Sequence, residues 1–164
     1  MIVSLADFWT WLETLPISGE IGATWWFPFL ESIHVLTATF VVGSILMVDL
    51  RVMGLAARRH PVSRITSEVL PWSVGAFVVS TVSGLGMFIT QANRYAGNSA
   101  FQVKVVLLVL AGINMAVFHL GTSRTLARWD KSAATTTGAK IAGACSLLLW
   151  IGIMLTGRWI GHLS

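Results

Sequence analysis

Four stretches of the chain are apolar almost without interruption, over about 25–48, 71–90, 100–120 and 139–159. A hydrocarbon core of about 30 Å takes roughly 20 helical residues, so each stretch is long enough to cross it. Short polar connections separate them. The pattern predicts an all-α integral membrane protein, an antiparallel four-helix bundle. Residues 1–24 form a separate N-terminal segment ahead of a 25–164 bundle domain. In that segment Ser4 and Asp7 have the spacing of a helix cap, and Leu5, Phe8, Trp9, Leu12 and Leu15 follow at helical intervals beside Trp11. This predicts a short helix, stopped at Pro16, that lies along the membrane interface or packs on the end of the bundle. Residues 17–24 and 91–99 read as connecting turns.

Composition agrees with the pattern. The chain is 55% hydrophobic and only 11% charged, with a mean hydropathy of +0.76, where a soluble domain carries roughly 25% charged residues. The net charge of +4 does not point to nucleic acid, because the basic residues sit at span ends. Eight of the 11 Lys and Arg residues (51, 58, 59, 64, 124, 128, 131 and 140) fall on one side; Arg94, Lys104 and Arg158 fall on the other. Positive residues favour the cytoplasm, so both termini are expected outside. Trp9, Trp11, Trp25, Trp26 and Trp159 mark the outer interface, Trp72 and Trp129 the inner one, and Trp150 falls mid-span. The N-terminus lacks the basic and continuous apolar regions of a cleavable signal peptide and carries Asp7 and Glu13 instead. The single Cys145 excludes an internal disulfide and reads as a small packing residue. In the second span Ala76, Ser80 and Gly84 fall four apart, a row that suits close helix packing.

Ionisable groups inside apolar spans are costly, and so they are the functional candidates. Glu31 and His34 share one face of the first span. Glu-x-x-His is the spacing of carboxylate-bridged di-iron bundles, but those need a second copy, and the sequence holds none. The better reading makes His34 an axial ligand of haem iron, with Glu31 orienting its other ring nitrogen; the alternative is a structural His–Glu pair. Asp49 and Arg51 read as boundary residues or an interhelical ion pair. In the third span Lys104, Leu108, Ala111, Met115 and His119 follow one stripe, expected to face the bundle interior. Lys104 either snorkels to the outer interface or, with Arg94 and Arg158, neutralises a haem propionate or other anion. His119 is a candidate second ligand, although at about 1.5 Å per residue it lies roughly 22 Å deep against roughly 12 Å for His34. Asn114 and Trp150 lie nearer the level of His34 and are candidate cofactor contacts, though neither is an ordinary haem ligand. Met87, Met154 and His162 lie toward the outer side. His60, before Pro61, reads as an exposed loop residue. There is no Gly-rich phosphate loop, nucleophile elbow, Cys-x-x-Cys or His-Glu-x-x-His, so nothing supports a hydrolase or nucleotide enzyme.

Several of these segments resemble an uncharacterised family of bacterial four-helix inner-membrane proteins, a domain of unknown function. They are Glu31-Ser32-Ile33-His34, Gly43-Ser44-Ile45-Leu46, Asp49-Leu50-Arg51, Pro71-Trp72, Asn98 to Lys104, Asn114, Phe118-His119 and Gly157-Arg158-Trp159. More distantly, His34, Gly43, Arg51, Lys104 and His119 are similar to the pattern of HemJ-type protoporphyrinogen oxidases and CopD-like membrane domains. The interval from Lys104 to His119 is longer than that pattern has. This resemblance implies a bundle that binds b-type haem.

Three functions follow as expectations. The first is a haem b protein passing electrons between a quinone or membrane partner and an outer-side acceptor. The second is a non-enzymatic membrane subunit or assembly factor, in which Glu31, His34 and Lys104 form a structural network. The third is a small transporter or metal-handling protein, which the second and fourth spans support poorly because they offer little polar lining. A small-residue face suits a homo-oligomer as well as the bundle core.

Overall fold

The computed structural model of the chain describes residues 4–56, 61–120 and 136–163, the side chain of His119 excepted. The candidates His60, Arg58, Arg59, Arg124, Arg128, Trp129 and Lys131 lie outside the described residues, as does the ring of His119. Every element among the described residues is helical. They are α1 (Leu5–Glu13), α2 (Pro16–Ala23), α3 (Trp26–Val52), α4 (Val62–Phe88), a 3-10 turn (Ile89–Gln91), α5 (Ala92–Gly97), α6 (Ser99–Leu120) and α7 (Thr137–Trp159). Four helices are long and apolar enough to cross a membrane. Large apolar side chains such as Leu36, Trp72, Val106 and Leu148 point outward from all of them. Such a surface suits lipid, and the chain is a multi-pass membrane protein.

Chain ends and connections refine the sequence reading. The Ser4–Asp7 capping box forms as expected, with the Ser4 hydroxyl accepting from Asp7 N–H and the Asp7 carboxylate accepting from Ser4 N–H at 2.9 Å. Pro16 does not simply stop α1, which closes at Thr14. It opens α2 as that helix's first residue, with Leu15 before it in extended backbone. Residues 17–24 are therefore mostly helix. Likewise 91–99 is a 3-10 turn and a helix, packed under α1: Glu13 accepts from the Asn93 backbone at 2.8 Å and from its side chain at 3.1 Å. The Ser18 hydroxyl donates to the Ile89 carbonyl at 2.9 Å, and Trp9 meets Phe88 edge-on. One face of α1 is thus pinned to the bundle end while Leu5, Phe8 and Trp11 stay exposed.

The second span begins earlier than its apolar run. α4 starts at Val62, with Pro71 inside the helix rather than opening it. Val62 and Ile65 are buried, and Val62 packs with Val52 and Ala139 in the small inner core, flanked by Val48 and Phe118. That burial carries the helix past the polar residues Ser63, Arg64, Ser67 and Glu68. α3 ends at Val52 with Met53 as its C-cap; Gly54 follows with a φ of 74° that suits glycine, and the last carbonyls are closed by Gly54 N–H on Arg51 and Leu55 N–H on Leu50.

The bundle is two antiparallel hairpins, α3–α4 and α6–α7, joined where α3 packs on α7. The join is close at Gly143, where a Cβ would stand 3.2 Å from Met53 Cγ and 3.3 Å from the Asp49 carbonyl oxygen. Lipid is as apolar as a leucine side chain, so helix association rests on such packing and on interhelical hydrogen bonds of about 0.6–2 kcal/mol each. The Ser73 and Ser44 hydroxyls bond at 2.6 Å between α4 and α3, and the Asn114 amide donates to the Ala142 carbonyl at 3.1 Å between α6 and α7. Asp49 and Arg51, at the C-terminal end of α3, are both buried in the bundle. Cys145 also departs from expectation. It faces outward, beside Asn114 in a groove of about 470 Å³ on the α6–α7 surface.

Candidate functional site

The half of the bundle that holds the start of α3 and the end of α4 has one well-defined polar arrangement, centred on His34. Its Nδ1 lies 2.7 Å from the backbone carbonyl oxygen of Ser80, across the α3–α4 interface. A carbonyl only accepts, so Nδ1 carries the proton and Nε2 keeps its lone pair. The Ser80 and Ser83 hydroxyls lie 3.3 and 3.5 Å from the same nitrogen. Ser83 donates to the carbonyls of Val79 at 2.8 Å and Ser80 at 3.0 Å, so its hydroxyl proton is already engaged. Beneath the ring lies Gly84, where a Cβ would stand 3.0 Å from His34 Cε1.

Lys104 reaches the same region from the other hairpin. It is half-buried, and its charge acts on His34 across the interior. Its Nζ lies 3.4 Å from where a Cβ on Gly157 of α7 would be. The side chain therefore lies against the bundle instead of running out along the lipid surface. No hydrogen bond or ion pair to Lys104 occurs among the described residues, so the ammonium is available to an anionic group.

Other candidates fall elsewhere. Glu31 is exposed, one turn from His34, and its charge acts on Tyr95 of α5. The group that orients His34 is the Ser80 carbonyl, not Glu31. Arg94 and Arg158 are exposed at the same end of the bundle as Lys104, and Arg94 donates to the Gln91 side chain at 2.7 Å. Asn114 is taken up by its bond to α7, and the Trp150 ring meets Phe77 edge-on at 6.3 Å. The third-span stripe holds through Lys104, Leu108 and Ala111 and then drifts: Met115 is 56% exposed, and Asn114 and Phe118 take the inward positions. Among the described residues no group of three His, Cys, Asp or Glu gathers.

Two features escaped the sequence reading. Ser80 and Gly84 were assigned to packing alone, yet they form the cradle of His34. The signal lay in the small-residue row on the span facing a lone intramembrane histidine. Asn98, near the end of the 91–99 turn and first in one of the resembling segments, has a role that the sequence does not assign. It is buried, caps α6 by accepting from Phe101 N–H at 3.1 Å, and donates to the Ile160 carbonyl at 3.1 Å, which ties the start of α6 to the end of α7.

Fold and site together define a four-helix, multi-pass membrane protein in which His34 and Lys104 are half-buried, each against a glycine of the neighbouring helix. The chain belongs to a family of unknown function, DUF6644, whose family model matches residues 8–163. No curated protein and no solved structure matches it.

Proposed function

We propose that this protein binds b-type haem and carries electrons across part of a bacterial inner membrane, with His34 as an axial ligand. The observation that carries the reading is the 2.7 Å contact between His34 Nδ1 and the Ser80 carbonyl. Histidines that bind metals usually donate their other ring N–H to a carbonyl or carboxylate, which fixes the tautomer and raises the basicity of the free nitrogen. Here that leaves Nε2 for iron. Haem, when bound, supplies reversible one-electron exchange. The lone Lys104 ammonium offsets the charge of a propionate, with Arg94 and Arg158 exposed near the outer surface for its partner. The apolar helices around them exclude water and hold the site in a low dielectric. The resemblance of His34, Gly43, Arg51, Lys104 and His119 to the pattern of HemJ-type and CopD-like domains points the same way.

His119 is the candidate second ligand from α6. Both termini lie on the periplasmic side by the basic-residue bias, which puts the His34–Lys104 layer nearer that surface. A quinone or a membrane redox protein is the partner class this depth suits.

A second reading is favoured by the same hydrogen bond: it fastens α3 to α4, as a structural staple in a non-enzymatic membrane subunit would. The absorption spectrum of the detergent-purified protein, expressed with haem supply, separates the two. A Soret band with a sharp reduced α-band, lost in His34→Ala, supports the haem protein. A protein without either band after hemin addition leaves the structural subunit.

A further inference from the structure

Two ionisable side chains in this half of the bundle, His34 and Lys104, each rest on a glycine of the neighbouring helix in their own hairpin. His34 of α3 lies on Gly84 of α4, and Lys104 of α6 lies on Gly157 of α7. The two contacts differ in how much they can yield. At Gly157 the nearest atom is the end of a flexible lysine chain, at 3.4 Å, which is ordinary contact. At Gly84 a Cβ would stand 3.0 Å from His34 Cε1 and 3.2 Å from Nδ1, closer than real Cβ atoms comfortably approach. The imidazole has two side-chain torsions, and its Nδ1 is already fixed on Ser80 at 2.7 Å. Giving way to a methyl on residue 84 by a few tenths of an ångström would turn the ring against that hydrogen bond.

We infer that Gly84 is the positioning residue of this site: the missing Cβ sets the plane of the His34 ring and so the direction of Nε2. What that direction serves rests on the haem reading; the ring geometry itself does not. Gly86 is the natural comparison. It is two residues further along α4, and a Cβ there would meet the Leu30 Cδ1 methyl at 3.1 Å and the Ile21 Cδ1 methyl at 4.0 Å, both the ends of chains that can turn away.

The test uses the full chain in detergent, labelled with ¹⁵N-histidine, with His34 assigned from the spectrum of His34→Gln. Gly84→Ala is expected to replace the single Nδ1–H tautomer by a mixture and to weaken hemin binding by about tenfold or more, as loss of a metal ligand's supporting contact commonly does. Gly86→Ala is expected to leave both unchanged. Stability supplies a second measurement if Gly84→Ala folds poorly. Alanine is the better helix former, so its cost at 84 should exist with His34 present and vanish in a His34→Ala background. Wild-type ring signals and hemin titration in Gly84→Ala would overturn the inference, as would an equal cost in both backgrounds. If wild-type protein takes no hemin but its His34 ring still responds to Gly84→Ala, the haem reading falls and the positioning role stands.

Discussion

His34 and Ser80, 46 positions apart, are joined by a hydrogen bond from the imidazole Nδ1 of one to the backbone carbonyl of the other. A single contact of this kind sets the register of α3 on α4, the tautomer of the ring and the orientation of the nitrogen left over. Replacing His34 therefore has two separable consequences. His34→Ala should lower thermal stability in detergent by about 1–2 kcal/mol, the range for an interhelical bond in a membrane protein. It should also remove any haem band. His34→Gln, which can still donate, should recover much of the stability and none of the band.

Asn114 offers the opposite pattern. Its amide holds α6 to α7 through Ala142, away from His34. Asn114→Leu should weaken the hairpin by about 0.6–1.7 kcal/mol and leave a reconstituted haem spectrum where it was. A displaced spectrum would place Asn114 in the cofactor wall after all.

Where the hairpins join, Gly143 stands against the backbone of α3. The Asp49 carbonyl cannot turn aside as a side-chain end would, so Gly143→Leu should overpack the α3–α7 crossing. A loss of roughly 1–3 kcal/mol is expected from such insertions. Disulfide trapping between cysteines placed on α3 and α7 would report the separation directly, and unchanged trapping would contradict it.

The N-terminal cap gives a pH prediction outside the membrane. Hydrogen bonds from Ser4 hold the Asp7 carboxyl below its ordinary value. A group whose folded pKa is depressed contributes its stability above its unfolded pKa and loses it as pH falls through the folded value. The first turn of α1 should therefore loosen only as pH drops from about 4 downward. Fluorescence of Trp9 and Trp11 should follow this fall. In Asp7→Asn the pH dependence should disappear.

Arg58 and Arg59 fall in the basic connection between the first two spans. Neutralising both should shift the balance that orients the chain, read by accessibility of engineered termini, and leave any haem spectrum unchanged. Loss of the spectrum would mean that the connection reaches the cofactor.

The apolar runs alone determined the number of crossings, because satisfying backbone groups in lipid leaves a 20-residue apolar segment little choice but a helix. They also singled out His34 and Lys104, since ionisable residues in such segments stand out by composition. Only the tertiary structure decided the rest. The start of α4 at Val62 depends on burial against Val52 and Ala139, which come from other helices. The burial of Asp49 depends on how closely α7 approaches at Gly143. The inward face of α6 turns from the Lys104–Ala111 stripe to Asn114 and Phe118 because a helix repeats every 3.6 residues, so steps of four drift off the face. The partner of His34 was hidden for a different reason. Every residue has a carbonyl, so a backbone acceptor leaves no mark in the sequence, and Glu31, which does leave one, points elsewhere.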